Sequence, residues 1–518
     1  MRRITRSCLT GLAGAVTLAL MLATVAPAQQ QTTAPLTEVQ TAAVRRLKEM
    51  IEVMNTGDYA TMRTYFETNS VNPPGLPPGA TTFAGHEPTF SFALIRHSTS
   101  LGLDLVRVIT EAPRGAVVGI VRNRLTGDEQ YIPVMVEPEA PHRITGLPVI
   151  EASVVASWNL QRAASAAVTE EERLQEIGAY LERMGNAGVF SGAVIIARGG
   201  QPILAQAHGY ADREKRIPNT LDTPFLLGSI NKLFTGLAIG RLVEQGKLSY
   251  EDPLAKFLPD FPDPESARKI RIKHLLSHTS GLGDYHGAKA YTEALDRLTT
   301  VEALVDIFER KPPAFEPGTK WAYSNMGFVL LGRIIERVTG QDYYDYMQEN
   351  VFAPAGATSV AFPLLPKDGI AVVPMAIPYG PDWDRENHRM YARNELGRMA
   401  RRGNPTGHAI ASALDLLKLS NAMYAGRIVK PETVRLHSSA KPELGATTYG
   451  YGFIAGPYIG RPFVGHNGRA PGTCTEFGEL RDTPYTVVVL SNLDLSPSPS
   501  DRICRQVTER ILRVLRPS

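Results

Sequence analysis

Two groups of strand-like segments, at opposite ends of a long helical stretch, constrain the fold of this chain most. Residues 191–198 and 202–209 are two short, largely apolar segments joined by the turn Gly199-Gly200. They read as two paired strands. Strand-like alternation comes late, in residues 452–457, 461–465, 473–480 and 486–492, ahead of a last helix over 500–515. Between the two groups the pattern is mostly helical. We therefore expect one sheet assembled from both ends of the segment. The helical middle packs on it and carries the functional groups.

At 518 residues the chain is too long for a single hydrophobic core. A second unit is expected over residues 36–153. Thr37 caps a helix whose apolar face is Val44, Leu47, Ile51 and Met54, stopped by Gly57. Asp58 caps a second helix bearing Tyr59, Met62 and Phe66. After a Pro/Gly loop over residues 72–79, strands follow at 101–110, 116–125, 130–137 and 143–150. Thr126-Gly127-Asp128 turns the chain between two of them. This small α+β unit resembles the nuclear-transport-factor-like and cystatin-like cone folds in the order of its elements. Its lone His86 and His97 read as structural. A charged helix over residues 169–183 leads into the larger domain, 169–518.

The formal charge is +3, and residues 1–28 supply all of it through Arg2, Arg3 and Arg6. The rest of the chain is near neutral, which gives no basic surface for nucleic acid. Three arginines, an apolar run to Val25 and Ala26-Pro27-Ala28 have the form of a secretory signal cut after Ala28. The alternative is a retained anchor, but Gly11, Gly14, Thr10 and Thr17 suit a permanent span poorly. No other stretch is long and apolar enough to cross a bilayer. The expected location is secreted or periplasmic. Cys474 and Cys504 are then either a disulfide or two buried thiols.

Three short motifs carry chemistry. In Ser229-Ile230-Asn231-Lys232 the serine and lysine are three apart at a helix start, so they share a face. A serine hydroxyl needs a neighbouring base. Lysine serves once a helix N-terminus and a partly buried cleft lower its pKa. Leu233, Phe234, Leu237, Ile239 and Leu242 are expected to bury that helix. The alternative is a surface serine and a solvated lysine. Tyr323-Ser324-Asn325 precedes another helix and offers a cleft a phenol and an amide. A phenol beside an ammonium loses its proton more readily and acts as a general acid or base. The alternative is a buried tyrosine and a capping asparagine. Gly465-His466-Asn467-Gly468 is read as a strand end, followed by Arg469. There glycine admits a substrate backbone and an edge N–H faces an oxyanion. The alternative is a glycine-rich hairpin.

In this order the three motifs resemble the S-x-x-K, S-D-N and K-T-G signatures of the serine β-lactamase and penicillin-binding-protein superfamily. The tyrosine form of the second motif is similar to the class C branch. That branch also holds esterases, D-amino-acid peptidases and D-Ala-D-Ala carboxypeptidases. His274-Leu-Leu-Ser-His278-Thr-Ser-Gly-Leu282 and Phe315-Glu-Pro-Gly318 resemble two further segments of it. The resemblance implies an antiparallel sheet flanked by helices, with a helical subdomain. It makes Ser229 the acylated nucleophile, Lys232 its proton acceptor and Tyr323 a proton shuttle. Asn325 becomes a substrate-amide contact, and the N–H groups of Ser229 and Arg469 an oxyanion hole, with His466 and Gly468 beside the substrate. It also implies that the last helix packs on the sheet, which would let Cys474 reach Cys504. His466 stands where K-T-G members carry lysine, which argues against efficient β-lactam hydrolysis.

Competing sites are weaker. There is no G-x-S-x-G elbow and no H-E-x-x-H. His274 and His278 are spaced i, i+4, but no third metal ligand is evident. Residues 407–415 resemble a cleft segment in which His408 either faces substrate or packs. Residues 382–402 either cover the cleft or form a solvated loop. The expected protein is an exported serine hydrolase that cleaves a small ester, amide or peptide, without metal or cofactor. The alternatives are a D-amino-acid or muropeptide peptidase, a weak β-lactamase, or a non-catalytic binding protein that keeps the fold.

Overall fold

The computed structural model describes residues 35–71, 100–148, 150–161, 167, 169–285, 289–307, 312–365, 373–384, 389–495 and 502–515. The N-terminal signal, the loop over 72–79, His86 and His97 lie outside the described residues. Helices α1 (Glu38–Asn55) and α2 (Tyr59–Asn69) come first. Thr37 and Asp58 cap them as expected, each side chain accepting backbone N–H groups of the first turn. Strands β1 (Leu103–Ile109), β2 (Val117–Asn123), β3 (Glu129–Val136) and β4 (Ile144–Gly146) form an antiparallel sheet in that order. Leu47, Met50, Ile51 and Met54 of α1 and Phe66 of α2 fill a core with Val117, Val121, Ile132 and Val134.

The larger unit opens with α3 (Glu170–Asn186), where Thr169 and Glu172 form a capping box. β5 (Gly192–Arg198) and β6 (Gln201–His208) follow. The helical middle includes α4 (Asn231–Glu244), α5 (Ile272–Leu276), α6 (Asn325–Thr339) and α7 (Ala413–Tyr424). Then come β7 (Ile454–Tyr458), β8 (Arg461–Ala470), β9 (Thr473–Leu480), β10 (Tyr485–Ser491) and α8 (Ile503–Val514). The expected single sheet is present, with strand order β7-β8-β9-β10-β5-β6 and every pairing antiparallel. Alternation assigns its faces. Ala193, Ile195, Val488 and Leu490 face the helical middle. Val194, Ile196, Val487 and Val489 meet Ile177 and Leu181 of α3 and Val507 and Ile511 of α8. Among the described residues no helix is long and apolar enough to cross a membrane.

Leu125, beyond β2, joins the core under α3 and α8, and Arg513 of α8 reaches Asp128 at 3.1 Å. Cys474 and Cys504 form a disulfide between β9 and α8, Cα–Cα 5.9 Å, and both are buried. The bond closes a loop with a sequence separation of 30. We expect Cys474→Ala/Cys504→Ala, or reduction, to cost about 3–4 kcal/mol of stability. Denaturant unfolding with and without reductant measures this; coincident curves would show that the bond contributes nothing.

One expectation needs correction. The segment Gly465–Gly468 does not end a strand, since β8 runs on to Ala470 and pairs with β9 throughout. Its glycines have another cause. A Cβ on Gly468 would lie 1.9 Å from the Leu227 carbonyl oxygen, and one on Gly228 would lie 2.3 Å from the Arg469 nitrogen. Glycine on both sides lets the turn before α4 lie directly on β8.

Candidate active site

Gly228 has a left-handed backbone, φ 53°, and begins a short 3-10 turn, Gly228–Ile230, that feeds α4. The turn sets Ser229, half-buried, against the backbone of Arg469. Lys232 follows one turn on, with no exposed surface. Its Nζ lies 3.1 Å from Ser229 Oγ, 2.6 Å from Asn325 Oδ1 and 2.7 Å from the Thr406 carbonyl. Burial pushes the lysine down to about 7, against a smaller opposing pull from Asp284. At neutral pH a large fraction is therefore a free amine.

Ser324, rather than Asn325, caps α6, with its Oγ accepting from Gly327 N–H at 3.1 Å. The preceding Tyr323 hydrogen-bonds Ser229, and its ring centroid stands 4.9 Å from Lys232 Nζ. The phenol shifts opposite to the sequence expectation. Burial raises its pKa, and the hydrogen bond to Ser229 only partly offsets that. Tyr323 thus holds its proton at neutral pH.

Asn325 lines the Ser229 cavity and, like His466, makes protein contacts that the sequence did not announce. The Asn325 amide is engaged at both ends, its oxygen by Lys232 and its Nδ2 by Asp284 Oδ2 at 2.7 Å. His466 is buried, with Nδ1 donating to the Asn467 carbonyl at 2.6 Å and Nε2 accepting from Tyr449 O–H at 2.8 Å. A carbonyl only accepts, so this pairing fixes the tautomer. Burial, helped by Lys232, pushes His466 to about 3. It is a neutral ring with both nitrogens occupied by the protein rather than a substrate contact. Gly468 serves close packing, as described above.

Sequence reasoning missed Asp284, Tyr449 and Thr406. Thr406 contributes a main-chain carbonyl, which no side chain announces. Asp284 is an acidic residue just after the glycines 281 and 283, and Tyr449 lies in the aromatic-glycine run Tyr449-Gly-Tyr-Gly452. His278 is buried with its ring centroid 4.2 Å from that of Tyr323. His274 and His278, the pair weighed as metal ligands, each accept a backbone N–H, from Arg271 and Ser324. Among the described residues no three His, Cys, Asp or Glu side chains are grouped to hold a metal.

Ser229 opens into a cavity of about 610 Å³ bordered by Tyr291, Arg398, His408 and Arg469. No acidic side chain is among its described lining residues. Arg398 belongs to the segment weighed as a cleft cover, and His408 faces the cavity with a left-handed backbone, φ 65°.

A serine hydroxyl, a buried amine and a protonated phenol lie close together, an arrangement that suits acyl transfer, and the protein is a serine hydrolase. The β-lactamase family model matches residues 177–507, and the chain belongs to that family. Penicillin-binding protein 4* of Bacillus subtilis (strain 168) is 31% identical over 338 residues, covering 62% of this chain and 72% of its own length. Teichoic acid D-alanine hydrolase of Staphylococcus aureus is 29% identical over 194 residues, 38% of this chain and 45% of that protein. The crystal structure of a penicillin-binding protein from Bacillus halodurans superposes with TM-score 0.54 and 27% identity, over 67% of this chain and 99% of that one.

Proposed function

We propose that this protein is an exported acyl hydrolase that works through an ester on Ser229. The observation that carries the reading is the 3.1 Å approach of a fully buried Lys232 amine to the serine hydroxyl. Neutral Lys232 takes the proton of Ser229 as Oγ attacks the acyl carbon. The carbonyl oxygen becomes an oxyanion, met by the N–H groups of Ser229 and Arg469. Tyr323 donates its phenolic proton to the leaving alcohol or amine. The Lys232 ammonium returns its proton to Tyr323. Water then attacks the acyl carbon, giving a proton to Lys232, which passes it to Ser229 Oγ as the ester bond breaks and the acid leaves. The proposed architecture is a signal over residues 1–28 and domains over 36–153 and 169–518. The Cys474–Cys504 bond supports export, because disulfides persist in oxidising compartments.

For the substrate we propose a small ester or amide. The name of the Staphylococcus aureus relative favours D-aminoacyl compounds as the second class to try. β-Lactams come last. K-T-G members present a cation to the β-lactam carboxylate, whereas His466 is neutral here and turned to Tyr449. Arg469 borders the cavity, but its Nε lies 3.7 Å from Asp494. The test is a hydrolysis screen of short acyl esters, D-aminoacyl amides and nitrocefin with the mature protein. We expect the best ester or amide to exceed nitrocefin at least about 100-fold in kcat/KM, roughly 2.7 kcal/mol of transition-state stabilisation. Equal rates would remove the specificity reading. No turnover of any of them, with no labelling by a fluorophosphonate, would favour a binding protein instead.

A further inference from the structure

A neutral amine that acts as a base has two N–H donors and one lone pair. Lys232 Nζ has three neighbours: Ser229 Oγ, Asn325 Oδ1 and the Thr406 carbonyl. Carbonyl oxygens only accept. If both take an N–H, the lone pair is left facing the serine O–H. The Thr406 side of this arrangement is fixed by the main chain. Asn404 holds that loop, its Oδ1 accepting from Thr406 N–H at 2.9 Å and from Thr406 Oγ1 at 2.8 Å.

The Asn325 side is not fixed by the main chain. A side-chain amide presents nearly the same shape either way round. Reversed, it would point NH2 at Lys232 and occupy the lone pair that must reach Ser229. One contact selects between the two. Asp284 Oδ2 lies 2.7 Å from Asn325 Nδ2, and a carboxylate accepts only. The loop that bears Asp284 is tied to the α6 cap, since Ser324 Oγ donates to the Gly283 carbonyl at 2.9 Å.

We propose that Asp284 is a positioning residue that locks the Asn325 amide with its oxygen toward Lys232 and so aims the lysine lone pair at Ser229. This rests on the reading of Ser229 as nucleophile and Lys232 as base. Asp284 touches neither reacting atom.

Besides Asp284, the titratable groups facing Lys232 among the described residues are Tyr323, His278 and His466. Burial keeps both histidines uncharged and Tyr323 protonated at neutral pH. Asp284 is therefore the charge whose removal the lysine should register. Its negative charge raises the Lys232 pKa, so neutralising it lowers that pKa.

The test uses full-length protein, p-nitrophenyl acetate and a fluorophosphonate probe, each across pH 5–9. In Asp284→Asn the new amide both donates and accepts, and the lock is lost. We expect kcat and the labelling rate to fall together by about 10–100-fold, with KM within about twofold. The acidic limb of both profiles should move to lower pH. Asp284→Glu, which keeps an acceptor, should recover part of the rate and return the limb. Parent-like rates with an unmoved limb would overturn the proposal. So would a loss that accompanies a lower unfolding temperature, leaves the limb in place and is not rescued by glutamate. Ser229→Ala run in parallel separates the two levels. If it still labels at the active site, the nucleophile reading fails; if it is inert while Asp284→Asn is parent-like, only the role of Asp284 fails.

Discussion

Ser229→Ala should abolish covalent labelling and lower ester hydrolysis at least about 1,000-fold, while the protein stays folded. A nucleophile cannot be replaced by its neighbours, and losses of this size are usual when one member of an acyl-transfer unit is removed. The fold should tolerate the change. Ser229 is half-buried on a short 3-10 turn, and its backbone position depends on Gly228 and Gly468 rather than on its own hydroxyl. Lys232 keeps both carbonyl partners. Stability should therefore change by less than about 0.5 kcal/mol. Intact-mass analysis after fluorophosphonate treatment and an ester assay measure the two effects. Turnover within tenfold of the parent would sink the assignment.

The second large effect concerns the proton path. Lys232→Met should cost about 1,000-fold in kcat and Tyr323→Phe about 100-fold. The double variant should be hardly worse than Lys232→Met alone, because residues that act as a unit are not additive. Logarithmic losses that add would show two independent roles. The pH profile supplies a further check. The folded lysine titrates near 7 instead of 10.5, and the base form is the deprotonated one. Activity should therefore rise with pH through about 7 and level off above it. Below that point it should fall about tenfold per pH unit as the amine takes up its proton. Tyr323→Phe should leave this limb in place, because the phenol holds its proton throughout the range. A limb that moves with Tyr323 would make the phenol the titrating base.

Much of this was legible in the chain. The i, i+3 spacing of Ser229 and Lys232, followed by Leu233, Phe234 and Leu237, put the two side chains on one face of a helix start, and the other two motifs weighed against a solvated lysine. Thr37, Asp58 and Thr169 announced their helices because capping chemistry is local. The sheet was legible because its strands are short apolar runs set off by turn signals such as Gly199-Gly200, on either side of a helical middle. The failures were all tertiary. Gly465 and Gly468 looked like the end of a strand, whereas Gly468 records the close approach of the Gly228 turn. Tyr323 was expected to titrate low beside an ammonium, but the burial that neutralises Lys232 also raises the phenol. The contacts of Asn325 with Lys232 and Asp284 went unread because those partners lie on segments far apart in sequence.

The sheet order has a consequence for how the protein is made. β5 pairs with β10, and Ser191 Oγ meets Asn492 Oδ1 at 2.8 Å across a sequence separation of 301. A ribosome working from the N-terminus completes β5 and β6 long before β10 exists. During that interval an unpaired, valine- and isoleucine-rich edge is open to other chains. Ser229, Lys232 and Tyr323 have all been synthesised by then, yet the turn that carries Ser229 has no β8 to rest on. A nascent chain arrested before β8 would thus hold every reactive side chain and no active site, so catalytic competence arrives only with the last strands.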